Sequence, residues 1–240
     1  MNLDRVEKKA LCVYLCIGDP SFDASLELAL TVLEAGADLL ELGVPFSDPT
    51  ADGPILARAS RRALAAGATL VRVLEFADAL RERTPAPLVL FTYYNPVFVT
   101  GEARVANMIA AAGLDGVIVV DLPPEEAQNL RNTCADRGVG VMPLVTPTAN
   151  ADRIEVIQRL SAPPLGAPRG FVYAVSTTGV TGTSATDLST MSRGADMLRL
   201  TFGMPVMLGF GLDSAERVRI AADRRGPGPD GIVVGTAVAQ

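Results

Sequence analysis

The sequence predicts a single α/β domain, a closed (β/α)8 barrel, and three observations lead there. Eight short apolar runs alternate strictly with helix-like stretches along the chain. The runs are continuous rather than polarity-alternating, the pattern of parallel strands buried on both faces. At 240 residues and 49% hydrophobic content, the chain has the length of one such barrel and can bury a substantial core. Eight strands in strict alternation favour closure over an open, doubly wound sheet.

The first run is CVYLCI from Cys12, followed by the helical pattern SLELALTVLEAG from Ser25, with a Ser start and a Gly stop. DLLELG from Asp38, LVLFTY from Leu88 and GVIVV from Gly116 are the next three strands. PPEEAQNLRNTCADRG from Pro123 reads as a helix with an acidic start and a Gly stop, leading into VGVMPLV from Val139. GFVYAV from Gly170 and PVMLGF from Pro205 are the sixth and seventh strands. A helix over SAERVRIAADRRG from Ser214 then precedes the eighth, GIVVG from Gly231. The Pro- and Gly-rich tracts 162–170 and 226–231 fall where a helix hands over to a strand, so they are surface loops within one domain spanning 1–240. Only Thr236 to Gln240 follow the eighth strand, so the expectation is a TIM barrel lacking most of its last outer helix.

Composition excludes several function classes. A net charge of −6 and a pI near 4.8 leave no broad basic surface for nucleic acid. No run of about eighteen apolar residues occurs and MNLDRVEKKA lacks a signal-type apolar core, so the expectation is a soluble, cytoplasmic protein without membrane contact. Cys12 and Cys16 would lie roughly 13 Å apart along a strand, too far for a disulfide, and read as small core residues. The chain has no histidine, and its only lysines, Lys8 and Lys9, precede the first strand. Imidazole bases, His-ligated metals and a barrel Schiff base are thereby removed, leaving acid–base chemistry to Asp, Glu, Tyr or Cys.

Barrel enzymes place their catalytic side chains at the C-terminal strand ends and the loops that follow. ELGVPFSDPTADGP, from Glu41 to Pro54, occupies such a place. Glu41 lies within an otherwise apolar strand, where a carboxylate is either paired with a barrel arginine or available for catalysis with a raised pKa. Asp48 and Asp52 sit on the ensuing loop, where catalysis competes with turn capping. Glycines gather late in the chain at Gly179 to Gly182, at Gly209 and Gly211, and at Gly235 beside Thr236, each after a strand. Converging glycine loops expose backbone N–H groups to a phosphate, although tight turns alone would use the same residues. The strand ends also carry Tyr14, Phe91, Tyr93, Tyr173 and Phe210, which form either a flat apolar pocket or ordinary core.

These residues resemble one family over nearly the whole chain. ELGVPFSDPTADGP looks like the signature of the tryptophan synthase α subunit, and the likeness continues through GDP at Gly18, YYNPVF at Tyr93, VVDLP at Val119, GVTG at Gly179, GFG at Gly209 and VVGTA at Val233. The resemblance implies retro-aldol cleavage of indole-3-glycerol phosphate into indole and glyceraldehyde 3-phosphate. It implies Glu41 as the main acid–base group and Asp52 as partner of the indole N–H. It implies Thr181 closing over the site and orienting Asp52, with Gly182, Gly211, Gly235 and Thr236 holding the phosphate. Thr236 stands where many relatives have Ser, and the hydroxyl is retained. The indole would lie against Tyr14, Phe91, Ile118, Tyr173 and Phe210.

The same resemblance implies a β-subunit partner in an α2β2 complex, docked near Pro49, Asn95, Pro96 and Phe98. Pyridoxal phosphate would belong to that partner, with no cofactor or metal in this chain. Rival readings are a stand-alone lyase, a non-catalytic activator of a β subunit, and a barrel enzyme acting on another sugar phosphate.

Overall fold

The computed structural model describes residues 9–163, 170–175, 185–209, 216 and 228–239. Parallel strands are β1 (Ala10–Cys16), β2 (Leu39–Gly43), β3 (Leu88–Thr92), β4 (Gly116–Val119), β5 (Gly140–Val141), β6 (Leu144–Val145), β7 (Val172–Val175), β8 (Val206–Gly209) and β9 (Gly231–Val234). Their order is β5-β4-β3-β2-β1-β9-β8-β7-β6. The two ends of that order are pieces of one extended run, 140–145. Met142 N–H donates to Val117 O at 3.0 Å on one side, and Tyr173 N–H donates to Pro143 O at 2.9 Å on the other. Pro143 has no N–H to give, so it sits where the run changes ladders. The sheet therefore closes on itself as the eight-stranded barrel that the sequence predicts, with the fifth strand split in two.

Eight helices are described: α1 (Phe22–Glu34), α2 (Pro54–Ala65), α3 (Leu70–Arg81), α4 (Tyr94–Thr100), α5 (Glu102–Ala111), α6 (Gln128–Ala135), α7 (Ala151–Ser161) and α8 (Ala185–Phe202). Their starts follow local chemistry. Ser21 caps α1 through the Ala24 amide and Asn150 caps α7 through the Arg153 amide, while Gly53 precedes α2 with Pro54 at its first position. The helix expected from Pro123 is shorter than its pattern. Pro123 and Pro124 are followed by a turn closed by Glu126 N–H to Pro123 O, and regular helix begins only at Gln128. The helix expected from Ser214 lies outside the described residues, apart from Glu216.

Side chains sort into an outer and an inner layer. Leu40, Leu42, Leu88, Leu90, Val117 and Val119 face outward onto α1, α3, α5 and α6, and Val172, Val206, Leu208 and Ile232 face α7 and α8. Cys12, Tyr14, Leu39, Val89, Phe91, Ile118, Met142, Phe171, Tyr173, Met207 and Val233 fill the interior. All three cysteines are free and buried. At the N-terminal ends of the strands, three aspartates recur in one role. Asp38, Asp115 and Asp230 accept from the Leu11, Leu88 and Val206 amides at 2.8, 2.9 and 2.8 Å, pinning each strand to its neighbour.

Candidate active site

Glu41 is the anomaly of the interior. It sits mid-strand on β2, level with Tyr14 of β1 and Val89 of β3, and is fully buried. Neither carboxylate oxygen has a hydrogen-bond partner, so no barrel arginine pairs with it among the described residues. Burial pushes its pKa up to about 8, with the nearby Cys12 thiol working against the rise. A carboxylic acid that holds its proton at neutral pH and can then give it up is a general acid. Of the two alternatives open in the sequence, the ion pair finds no arginine among the described residues.

The loop after β2 carries the second carboxylate. Asp48 is occupied locally, accepting from its neighbour Ser47 at 2.6 Å, while its carbonyl takes the Thr50 amide. Asp52 is not a turn cap. Its half-buried carboxylate accepts from the Tyr93 hydroxyl at 3.4 Å, and that hydroxyl accepts from the Ala51 amide at 3.0 Å. Burial raises the Asp52 pKa to about 6, with the Tyr93 bond working against the rise. Phe46, at the start of the loop, stacks on the Tyr93 ring at 4.9 Å, so one tyrosine holds both ends of the segment. Sequence reasoning placed Tyr93 among the rim aromatics and missed this role, because nothing local marks a bond spanning forty-one residues.

The aromatic wall is continuous. Tyr14 meets Phe91 edge to face at 5.1 Å, Phe91 contacts Tyr173 at 6.4 Å, and Phe171, which the sequence did not single out, extends the row beyond Tyr173. Ile118 lies in the same interior cluster. Two glycines make room for it. A Cβ on Gly43 would stand 2.3 Å from the Tyr14 hydroxyl, and one on Gly209 would stand 2.0 Å from that of Tyr173. Both tyrosine hydroxyls feel Glu41 and Asp52 electrostatically, and their pKa values are raised, chiefly by burial. Tyr14 and Tyr173 thus lie within electrostatic reach of both Glu41, mid-strand in the interior, and Asp52, on the C-terminal rim.

Gly235 and Thr236 follow β9 at the same rim, with Gly235 against the Tyr14 ring. The Gly235 carbonyl accepts from the Val238 amide at 2.9 Å, closing a turn. Thr181, Gly182, Phe210 and Gly211 lie outside the described residues. Among the described residues no cluster of His, Cys, Asp or Glu could hold a metal ion, and no helix is long and apolar enough to cross a membrane.

The sequence model of the family described as tryptophan synthase alpha chain matches residues 1–240. The tryptophan synthase alpha chain of Geobacter sulfurreducens is 43% identical over 241 residues, covering 100% of this chain and 86% of the relative. Among solved structures, the tryptophan synthase subunit alpha of Legionella pneumophila superposes with a TM-score of 0.85 at 32% identity, covering 99% of this chain and 85% of that one. A chain of the aminoacrylate-bound tryptophan synthase of M. tuberculosis superposes with a TM-score of 0.79 at 32% identity, covering 97% and 85%. By sequence match and by fold, this chain belongs to the tryptophan synthase alpha chain family.

Proposed function

We propose that Glu41 and Asp52 divide the work of this family's reaction, the cleavage of indole-3-glycerol phosphate to indole and glyceraldehyde 3-phosphate. The observation that carries the assignment is the buried, unpartnered Glu41 carboxylate, whose pKa lies near 8. Protonated Glu41 delivers its proton to indole C3, which interrupts the pyrrole aromaticity and leaves an iminium at N1. Asp52, ionised above its pKa of about 6, accepts from the N1–H and stabilises that charge. Glu41, now a carboxylate, takes the proton of the adjacent side-chain hydroxyl. The carbon–carbon bond breaks, its electron pair restores the ring, and the former carbinol becomes the aldehyde. One proton is given and one recovered, so Glu41 is ready for the next turnover.

Tyr14, Phe91, Ile118 and Tyr173, with Phe210, hold the indole ring. Gly235 and Thr236, with Gly182 and Gly211, hold the phosphate through amides and a hydroxyl, and Thr181 orients Asp52 over the closed site. Docking of a β subunit, which receives the indole and carries pyridoxal phosphate, uses the rim at Pro49, Asn95, Pro96 and Phe98. The support is an apolar pair on α4 directly after β3, Phe98 and Val99, which are 67% and 76% exposed. An α2β2 assembly in the cytoplasm completes the reading.

Indole release from indole-3-glycerol phosphate is the test, on wild type, Glu41→Gln and Asp52→Asn, with and without β subunit. Glu41→Gln should lose about a hundredfold or more. Undiminished release by that variant would overturn the assignment.

A further inference from the structure

A cavity lies beside the barrel interior, where the fifth strand is broken. The pieces β5 and β6 are two residues each, Pro143 interrupts the ladder between them, and α6, which covers this sector, is only eight residues long. The gap between α6 and α7 is a pocket of about 280 Å³, walled by Leu122, Pro143, Leu144 and Ile157 and reached by Arg131 and Ser161. Leu144 also packs against the interior cluster, whereas Arg131, Leu122, Ile157 and Ser161 lie outside it.

Arg131 is what makes the pocket unusual. It projects from α6 and is 6% exposed, yet its guanidinium makes one hydrogen bond, from Nη2 to the Ala162 carbonyl at 3.2 Å. That bond caps the C-terminus of α7, a sound structural use of one of five N–H groups. No carboxylate pairs with Arg131 among the described residues: Asp121, which also lines the pocket, accepts from the Tyr94 amide at 2.6 Å, and Glu125 pairs with Arg153. The near neighbour Cys134 is a neutral thiol, its pKa pushed up to about 12 by burial. A buried cation without a counter-ion is costly, and an anion from solution removes that cost.

We propose that this pocket binds a small organic carboxylate with a compact apolar body, its carboxylate on the Arg131 guanidinium and its body against Leu122, Leu144 and Ile157. The planar fork of arginine matches a carboxylate through two parallel N–H bonds. The apolar wall selects a body over a bare inorganic anion, and the volume admits a ring or a branched chain.

Benzoate is the probe, titrated into the isotopically labelled full chain and followed by backbone amide shifts. Saturable shifts are expected at Leu122, Leu144 and Ser161, unaffected by saturating glycerol 3-phosphate. Arg131→Met should weaken binding about tenfold or more, as loss of a charge-assisted pair implies. Because that variant also removes the α7 cap, Ala149→Phe serves as the second: it fills the pocket, leaves Arg131 in place, and should abolish the shifts. Shifts that persist in Ala149→Phe, or that glycerol 3-phosphate displaces, would overturn the proposal. Inorganic phosphate producing the same shifts while benzoate produces none would overturn it equally.

Discussion

The Tyr93 hydroxyl is shared between the Asp52 carboxylate at 3.4 Å and the Ala51 amide at 3.0 Å, so the residue between β3 and α4 holds the loop after β2 in place. Tyr93→Phe keeps the ring and its stacking on Phe46 but releases both bonds. The expected result is a fall in kcat/KM of about tenfold. Because the Tyr93 bond lowers the Asp52 pKa, its loss should also move the acid limb of the pH profile upward from about 6. A variant with reduced rate and an unmoved limb would show that Tyr93 acts only by packing.

The roles proposed for Glu41 and Asp52 require opposite protonation states, which sets the profile expected. Glu41 must carry its proton, so activity falls as pH rises through about 8, and Asp52 must be ionised, so it falls as pH drops through about 6. A bell in kcat/KM between those values is expected for wild type. Asp52→Asn should lose the acid limb and keep the alkaline one.

The same residues show how far the chain could be read in advance. Strand positions were legible because continuous apolar runs such as LVLF, from Leu88, have few other places to go than a two-sided sheet. Glu41 stood out for the complementary reason, a charge where only apolar residues belong, yet whether an arginine met it depended on long-range packing. The role of Tyr93, the break at Pro143 and the isolation of Arg131 arise from contacts between distant segments, and no local spacing encodes them. The roles proposed for Glu41 and Asp52, which spacing left open, are those the family resemblance implies.

Room for the aromatic wall depends on Gly43. Gly43→Ala would set a methyl carbon 2.3 Å from the Tyr14 hydroxyl, between backbone and a ring already fixed by Phe91. Such overpacking costs about 1–3 kcal/mol. Tyr14 would have to tilt, so the apparent KM should rise along with a lowered melting temperature. Normal KM with normal stability would mean the ring has slack that the packing does not suggest.

At the opposite end of the barrel, stability and activity should separate. Asp230 accepts from the Val206 amide and from Arg199 Nε, far from the catalytic rim. Asp230→Ala strands both donors and should cost about 1–3 kcal/mol in urea unfolding. Turnover per folded molecule should stay at the wild-type level, as expected for the N-terminal face of a barrel. Asp38→Ala and Asp115→Ala should behave alike, since each leaves a strand-edge amide unpaired.

Glu41 itself should cost the fold something, and the sign can be derived. Its pKa rises from an ordinary 4.5 in the unfolded chain to about 8 in the barrel. Between those values the folded protein holds a proton that the unfolded chain has released, so stability declines as pH increases across the window. The decline amounts to a few kcal/mol at about 1.4 kcal/mol per pKa unit. Glu41→Gln has a similar shape and no charge to bury. Its stability should match wild type near pH 5 and exceed it progressively toward pH 9, while indole release is lost. Subtracting the two urea-unfolding curves cancels every other titrating group. A difference that is flat with pH would show that Glu41 is not held protonated, and would remove the physical basis for its role as the proton donor.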